Sequence, residues 1–335
     1  MIIEKYIIHV LDKNSQAPVL NDFEGSLTPE LDALYQKMIR KILRDDDLRK
    51  SKFQNYEENE LKTFADHLLY DDEAFVMSSK AVATMLFDTM KVNSELESCD
   101  LAIIRYVHKE EKGVAIIKLD YKKLYTHEIG YDESSEKVSI KMVSNEVAIQ
   151  ATQKIIHAAL IGVNGVNDQW HLEILDKDAE KNQTDSSFVK DFLKAEKIYD
   201  EKYLTKSFVN VTDNWITNAY SNDVKKAEDI RSFLKYSVKE DNSIDVDEFI
   251  EKTIEEDKKE GYRELLEDRN IQGQFQVDKS WVEKKLKRRS IRTNTGFDIK
   301  GLMDDFSDPM KYSISQNEDG TVNITIKNIQ TYEEK

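Results

Sequence analysis

In KKLKRRSIRTNTGFDIKG, residues 284–301, six cations fall within nine positions: Lys284, Lys285, Lys287, Arg288, Arg289 and Arg292. Cations at this density suit one task well, the neutralisation of phosphates with release of their counterions. Thr293, Asn294, Thr295 and Gly296 follow. Their hydroxyl, amide and open backbone donors suit phosphate oxygens, which position a nucleic-acid backbone without reading base edges. On a helix from about residue 279, Val282 and Leu286 lie four apart with Trp281 beside them. Lys284, Lys287 and Arg288 then fan across the opposite, exposed face.

The chain as a whole is acidic, with a formal net charge of −16 over 335 residues. Such a balance repels phosphate at long range. Its distribution is uneven, however. Residues 273–301 hold eight basic residues against Asp278, Glu283 and Asp298, whereas 222–270 hold ten basic against sixteen acidic. Two partners therefore compete for the basic strip. One is an external phosphate backbone; the other is the chain's own acidic segment EEDKKEGYRELLEDR, residues 255–269.

Catalytic machinery is not visible. GVNGVND, residues 162–168, has only Gly162 and Gly165, which is neither a dinucleotide fingerprint nor a phosphate loop ending in Lys and Ser or Thr. The six histidines show no HExxH spacing and have no cysteine cluster beside them. DNSIDVDE, residues 241–248, lacks the glycine and distal glutamate of a calcium loop, so Asn242, Ser243 or Asp245 reads instead as a helix cap. Acidic pairs such as Asp71-Asp72 and Asp304-Asp305 are too common in this chain to nominate metal ligands. No enzyme, metal or cofactor is expected.

The elements that must carry the strip read as an α+β chain. Residues 2–11 are a β-branched strand, and Thr28-Pro29 opens a helix whose Leu31, Leu34, Tyr35, Met38 and Ile42 share a face. Residues 72–92 form a second helix. LAIIRYVHKEEKGVAIIKLDY and THEIGYDESSEKVSIKMV read as an antiparallel meander, with further strands at 157–163 and 170–176. The polar run DKDAEKNQTDSS, residues 176–187, separates an N-terminal mixed helix and antiparallel sheet domain, 1–178, from residues 186–335. The latter comprise a helical middle and a small C-terminal α+β module. Helical spacing runs from Phe188 through Phe192, Ala195, Tyr199 and Tyr203, and further helices are expected at 222–238 and 245–268. After FQVD and a helix at 279–289 come short strands at SIRT and FDIK, then a hairpin turning at Asp319-Gly320.

Cys99 is the single cysteine, and the first residues carry no basic leader, so a reducing, intracellular compartment is expected. The longest apolar runs, VATMLF and HAALIGV, fall far short of the roughly 20 residues that cross a bilayer. No membrane partner is expected.

Taken together, KKLKRRSIRTNTGFDIKG and the following DPMKYSISQNEDGTVNITIKNI resemble the C-terminal signature of the bacterial nucleoid-associated proteins called NdpA or YejK: a basic helix, a TxTG turn and a closing hairpin. YIIHVLD, YVHKEEKGVAIIKLDY and FLKAEKIYDEKYLTKSFVN match more weakly, and the similarity spans nearly the whole chain. The resemblance implies a cytoplasmic protein found with the nucleoid, binding double-stranded DNA and, in some members, associated with type II topoisomerases. It carries over no catalytic residue. Two readings follow. In the first, the basic strip binds DNA with little sequence preference, and a homodimer or several copies raise a modest affinity. In the second, an acidic face including Glu255, Glu256 and Glu260 docks on a basic partner, such as a topoisomerase, or imitates DNA.

Overall fold

The computed structural model describes residues 1–132, 137–162, 170–182, 184 and 186–334. Most of GVNGVND and the centre of the DESSEK turn lie outside the described residues. The chain divides into two compact units, 1–198 and 199–335.

The first unit is built on β1 (Ile2–Leu11), α1 (Pro29–Leu43), β2 (Leu48–Phe53), α2 (Glu60–Tyr70), α3 (Phe75–Val92), β3 (Cys99–His108) and β4 (Glu111–Asp120). Then come β5 (Lys122–Asp132), β6 (Lys137–Ala148), β7 (His157–Ile161), β8 (Leu172–Asp176), α4 (Lys177–Asn182) and β9 (Ala195–Lys197). Seven strands join in one sheet, ordered β1-β3-β4-β7-β8-β2-β9 and antiparallel throughout. Helices cover both of its faces. Ile7, Leu101, Ile103, Val114 and Ile116 pack with Leu61, Leu68, Val82 and Leu86 of α2 and α3, while Tyr6, Ala102, Ile104 and Ile117 pack with Tyr35, Met38 and Ile39 of α1. Burial on both sides explains why β3 and β4 are near-continuous apolar runs with no alternation.

Local chemistry sets the helix starts. The Thr28 hydroxyl accepts from Leu31 N ahead of Pro29, and Asn59 Oδ1 accepts from Lys62 N at the start of α2. Each satisfies an N–H that has no partner inside its helix.

Three expectations need correction here. The second half of the meander does not continue the sheet: β5 and β6 form a separate two-stranded ribbon. The polar run does not mark the division between the two units. Phe188, Val189, Phe192 and Leu193, in a π-helical turn Phe188–Leu193, are buried in the first unit's core, and β9 closes onto β2. Helical spacing through Ala195 and Tyr199 is therefore coincidental, because Lys194 takes a left-handed φ of 47° and ends the turn.

The second unit packs α5 (Glu201–Ala219), α6 (Val224–Glu240), α7 (Val246–Thr253), α8 (Glu256–Glu267) and α9 (Lys279–Lys285) around Phe208, Leu234, Phe249, Tyr262 and Trp281. The single helix expected at 245–268 is two, broken where Ile254 and Glu255 are extended and Ile254 is buried. A short pair, β10 (Ser243–Asp245) and β11 (Gln274–Gln276), flanks α7 and α8. Two hairpins follow α9: β12 (Arg288–Arg292) with β13 (Asp298–Leu302), and, after α10 (Met303–Ser307), β14 (Tyr312–Gln316) with β15 (Val322–Ile326). The chain is thus α+β, with a mixed sheet and helix unit, a helical middle and small C-terminal sheet elements.

Candidate nucleic-acid interface

The basic strip is anchored from its start. Asp278 Oδ1 accepts from Trp281 N at 2.9 Å and caps α9, while Trp281 and Val282 enter the core with Leu286 packed beside them. Lys284 and Lys285 are exposed on the last turn. Leu286 is the C-cap, its N–H bonded to the Val282 carbonyl, so the helix is shorter than expected and neither Lys287 nor Arg288 lies on it. Their chain has already turned toward the β12 ladder, and the side-chain period changes from 3.6 to 2 at this point.

The pleat then sorts the cations. Arg288, Ser290 and Arg292 face outward, whereas Arg289 and Ile291 turn inward. Ser290 pairs with Lys300 and Arg292 with Asp298 across the ribbon. One outward face therefore carries Arg288, Lys300 and Arg292, the two arginines four positions and so about 13.6 Å apart along one strand. Arg292 Nε lies 3.8 Å from Asp298 Oδ1, a loose pair at an open site. Lys300 is the residue that the sequence did not single out. Its signal was present in the alternation of DIKGL, which places Asp298, Lys300 and Leu302 on one face.

Arg289 is a correction. Its guanidinium makes two bonds to Glu228 of α6, at 2.8 and 2.7 Å, and lies over the rings of Phe306 and Tyr312 at 5.3 and 5.9 Å. It is held by the fold, with its side chain only 14% exposed. Burial alone would raise the Glu228 carboxyl, but the Arg289 donors and charge outweigh it and hold the group below its ordinary value. Nearby, burial and then the Arg289 charge bring Lys235 down to about 8. Lys235, Lys239, Lys279 and Lys287 line an open groove of about 1340 Å³, but Glu228 and Glu283 line it too, so its charge is mixed.

The turn joining β12 to β13 uses its own polar groups. Phe297 N donates to Thr293 Oγ1 at 2.9 Å, Thr293 N donates to the Phe297 carbonyl at 2.9 Å, and the Thr293 and Thr295 hydroxyls are 2.9 Å apart. Thr293 thus shapes the turn. Gly296 has a φ of 94°, a conformation that only glycine adopts without strain, and Asn294 stays exposed at the tip.

Three carboxylates of the acidic segment have cations of their own helix beside them. Glu255 lies 2.8 Å from Lys258, Glu256 lies 2.7 Å from Lys259, and Glu260 lies 3.7 Å from Arg263, all within or beside α8. The cap assigned to the false calcium loop is Asp245, whose Oδ1 accepts from Glu248 N.

The first unit holds a buried polar cluster that sequence spacing did not reveal. His157 Nε2 lies 3.6 Å from Asp176 Oδ1, Lys118 pairs with Asp120, and Asp176 accepts from Ser186 Oγ at 2.6 Å and Ala179 N at 3.0 Å. Burial outweighs the Asp176 charge and lowers the His157 pKa. Its members come from β4, β7, β8 and the segment after α4, too far apart in sequence to form a motif. Among the described residues no three His, Cys, Asp or Glu side chains converge as a metal site, and no helix is long and apolar enough to cross a membrane.

With this geometry in place, comparison with protein families shows that the family described as nucleoid-associated protein YejK matches residues 7–334. No curated protein matches the chain.

Proposed function

The chain belongs to the nucleoid-associated protein YejK family, and from that premise we propose that it binds double-stranded DNA, without catalysis and with little sequence preference, through the outward face of the β12–β13 ribbon. The supporting observation is the row Arg288, Lys300 and Arg292, which a two-strand pleat aims in one direction. Lys284, Lys285 and Lys287 extend it toward the end of α9. A two-stranded ribbon fits the major groove in width. The outward set nevertheless offers cations, one serine and an acid, and has no Asn or Gln placed to read a base edge, so phosphate contact is the reading it supports. The nucleoid of a bacterial cytoplasm is the corresponding location.

The test is a salt series with duplex DNA. Replacing Arg288, Arg292 and Lys300 together by Ala is expected to reduce the magnitude of the log affinity against log salt slope by up to about 0.9 for each phosphate that is no longer neutralised. Unrelated duplex sequences should weaken alike. An unchanged affinity and slope would place DNA on another surface.

The alternative reading, in which the acidic face docks on a basic partner such as a type II topoisomerase, draws on the charge excess of residues 222–270. It is weakened at Glu255, Glu256 and Glu260 by their helical cations.

A further inference from the structure

One face of α6 runs along the groove of the second unit. Glu228, Ser232, Lys235 and Lys239 recur at spacings of four, three and four, and all of them line it. Their charges are not equally answered. Glu228 accepts from Arg289 at 2.7 and 2.8 Å and lies 3.3 Å from Arg231, which also reaches Asp213 at 2.8 Å. Lys239 lies 3.0 Å from Asp304, and Lys279 donates to the carbonyls of Lys239 and Asp241 at 2.7 and 2.6 Å. Lys235 is left over. The charges that act on it are Arg231 and Arg289 against Asp213 and Glu228, so three cations share two carboxylates, and both of those are already bonded to arginines that keep their protons. Its side chain is half-buried, and among the described residues no hydrogen bond or ion pair holds its ammonium.

We propose that Lys235 is an acylation site, at which the free amine takes the acyl group of a small acyl phosphate. A lysine that is desolvated or set beside a second cation is an activated nucleophile, and Lys235 is both. Burial, and then the Arg289 charge, bring its pKa from 10.5 down to about 8. About a quarter of the amine is then free at pH 7.5, against roughly a thousandth at the ordinary value. In the reaction the Nζ lone pair bonds to the acyl carbon and the bond from that carbon to the phosphate oxygen breaks. Phosphate leaves with the electron pair, and the proton of the amine passes to solvent. The local surplus of one positive charge favours a donor whose leaving group is an anion. Space is sufficient, since the groove holds about 1340 Å³ and has Phe233, Leu286 and Phe306 among its apolar walls. The product amide is neutral. It removes the surplus cation from beside Arg289 and costs less to hold there than a half-buried ammonium without a partner.

The site is independent of the DNA reading, and each can fail alone. Acetyl phosphate added to the full chain tests it, with the occupancy of each lysine followed over time by mass spectrometry of proteolytic peptides. Lys287, exposed on the same groove, is the internal reference. Near pH 7.5 Lys235 is expected to gain its acetyl group roughly tenfold faster than Lys287, the larger free fraction being partly offset by the lower basicity of the amine. Its rate should level off above about pH 8, where the amine is already free. In guanidinium chloride, where the groove is gone, the two lysines should react alike. Ser232→Asp sets a carboxylate one turn before Lys235 on an exposed stretch of α6 and supplies the partner that the lysine lacks. It should slow acetylation at Lys235 several-fold and leave Lys287 unchanged. A wild-type Lys235 that reacts no faster than Lys287, or whose rate still climbs past about pH 9, overturns the proposal. So does a Ser232→Asp chain in which Lys235 is acetylated as fast as in the wild type.

Discussion

Glu228 and Arg289, 61 positions apart in the chain, meet through two parallel hydrogen bonds of 2.7 and 2.8 Å, each side chain only 14% exposed. The pair fastens β12 to α6 and so decides which arginines of the strip face solvent. Removing one partner leaves the other charged and largely buried. Arg289→Ala or Glu228→Ala should cost about 2–4 kcal/mol in urea unfolding of the second unit. Arg289→Ala should leave the number of phosphates neutralised on DNA binding unchanged wherever the fold survives. A slope reduced as much as by Arg288→Ala would show that Arg289 does reach the nucleic acid.

The division at 198/199 makes a second prediction. Fragments 1–198 and 199–335 should each give a cooperative thermal transition, since each has its own core. Fragment 1–178 should not match 1–198, because it lacks Phe188, Phe192, Leu193 and the β9 edge. Equal melting temperatures for 1–178 and 1–198 would restore the polar run as the functional boundary.

Legibility followed from how local each signal was. The Thr28-Pro29 start of α1, the apolar β3 and β4 and the Asp319-Gly320 turn were readable because neighbouring residues determine them. β2 was not readable: Arg49 is buried there, bonding the Ile198 carbonyl at 2.7 Å and Glu180 at 3.3 Å, and nothing nearby in sequence signals those partners. The site behaves likewise. The anchors Trp281 and Val282 and the two short strands of the basic strip were legible. The inward turn of Arg289 was not, since it depends on a glutamate in another helix, and placing Lys287 and Arg288 on the helix followed from extending one period across a boundary.

The acidic face is tested by reversing Glu255, Glu256 and Glu260 to Lys. If the face receives a basic partner, capture of a purified type II topoisomerase should fall. The melting temperature should not change, because these side chains are exposed on the helix and its approach. Undiminished capture would remove these three carboxylates from the contact.

His9 supplies a pH prediction. It is fully buried on β1, its Nδ1 accepts from Asn21 N at 3.1 Å, and its Nε2 lies 3.1 Å from Ser79 Oγ. Ser79 spends its own hydrogen on the Val76 carbonyl at 2.7 Å, so Nε2 carries the imidazole proton and the ring is neutral. Burial, and then the Lys80 charge, bring the pKa from 6.5 down to about 4. A lowered folded-state value means that the unfolded chain takes up the proton first. The neutral ring's contribution is therefore complete above pH 6.5 and is lost as pH falls from 6.5 toward 4. The loss amounts to at most about 3 kcal/mol from this group. Protonation would also set an Nδ1–H against the Asn21 N–H, which breaks the tie between β1 and the loop before α1. His9→Gln should be less stable than the wild type at pH 7 and should lose less of its melting temperature between pH 6.5 and 4. Parallel melting curves for the two proteins over that interval would show that another group governs acid unfolding.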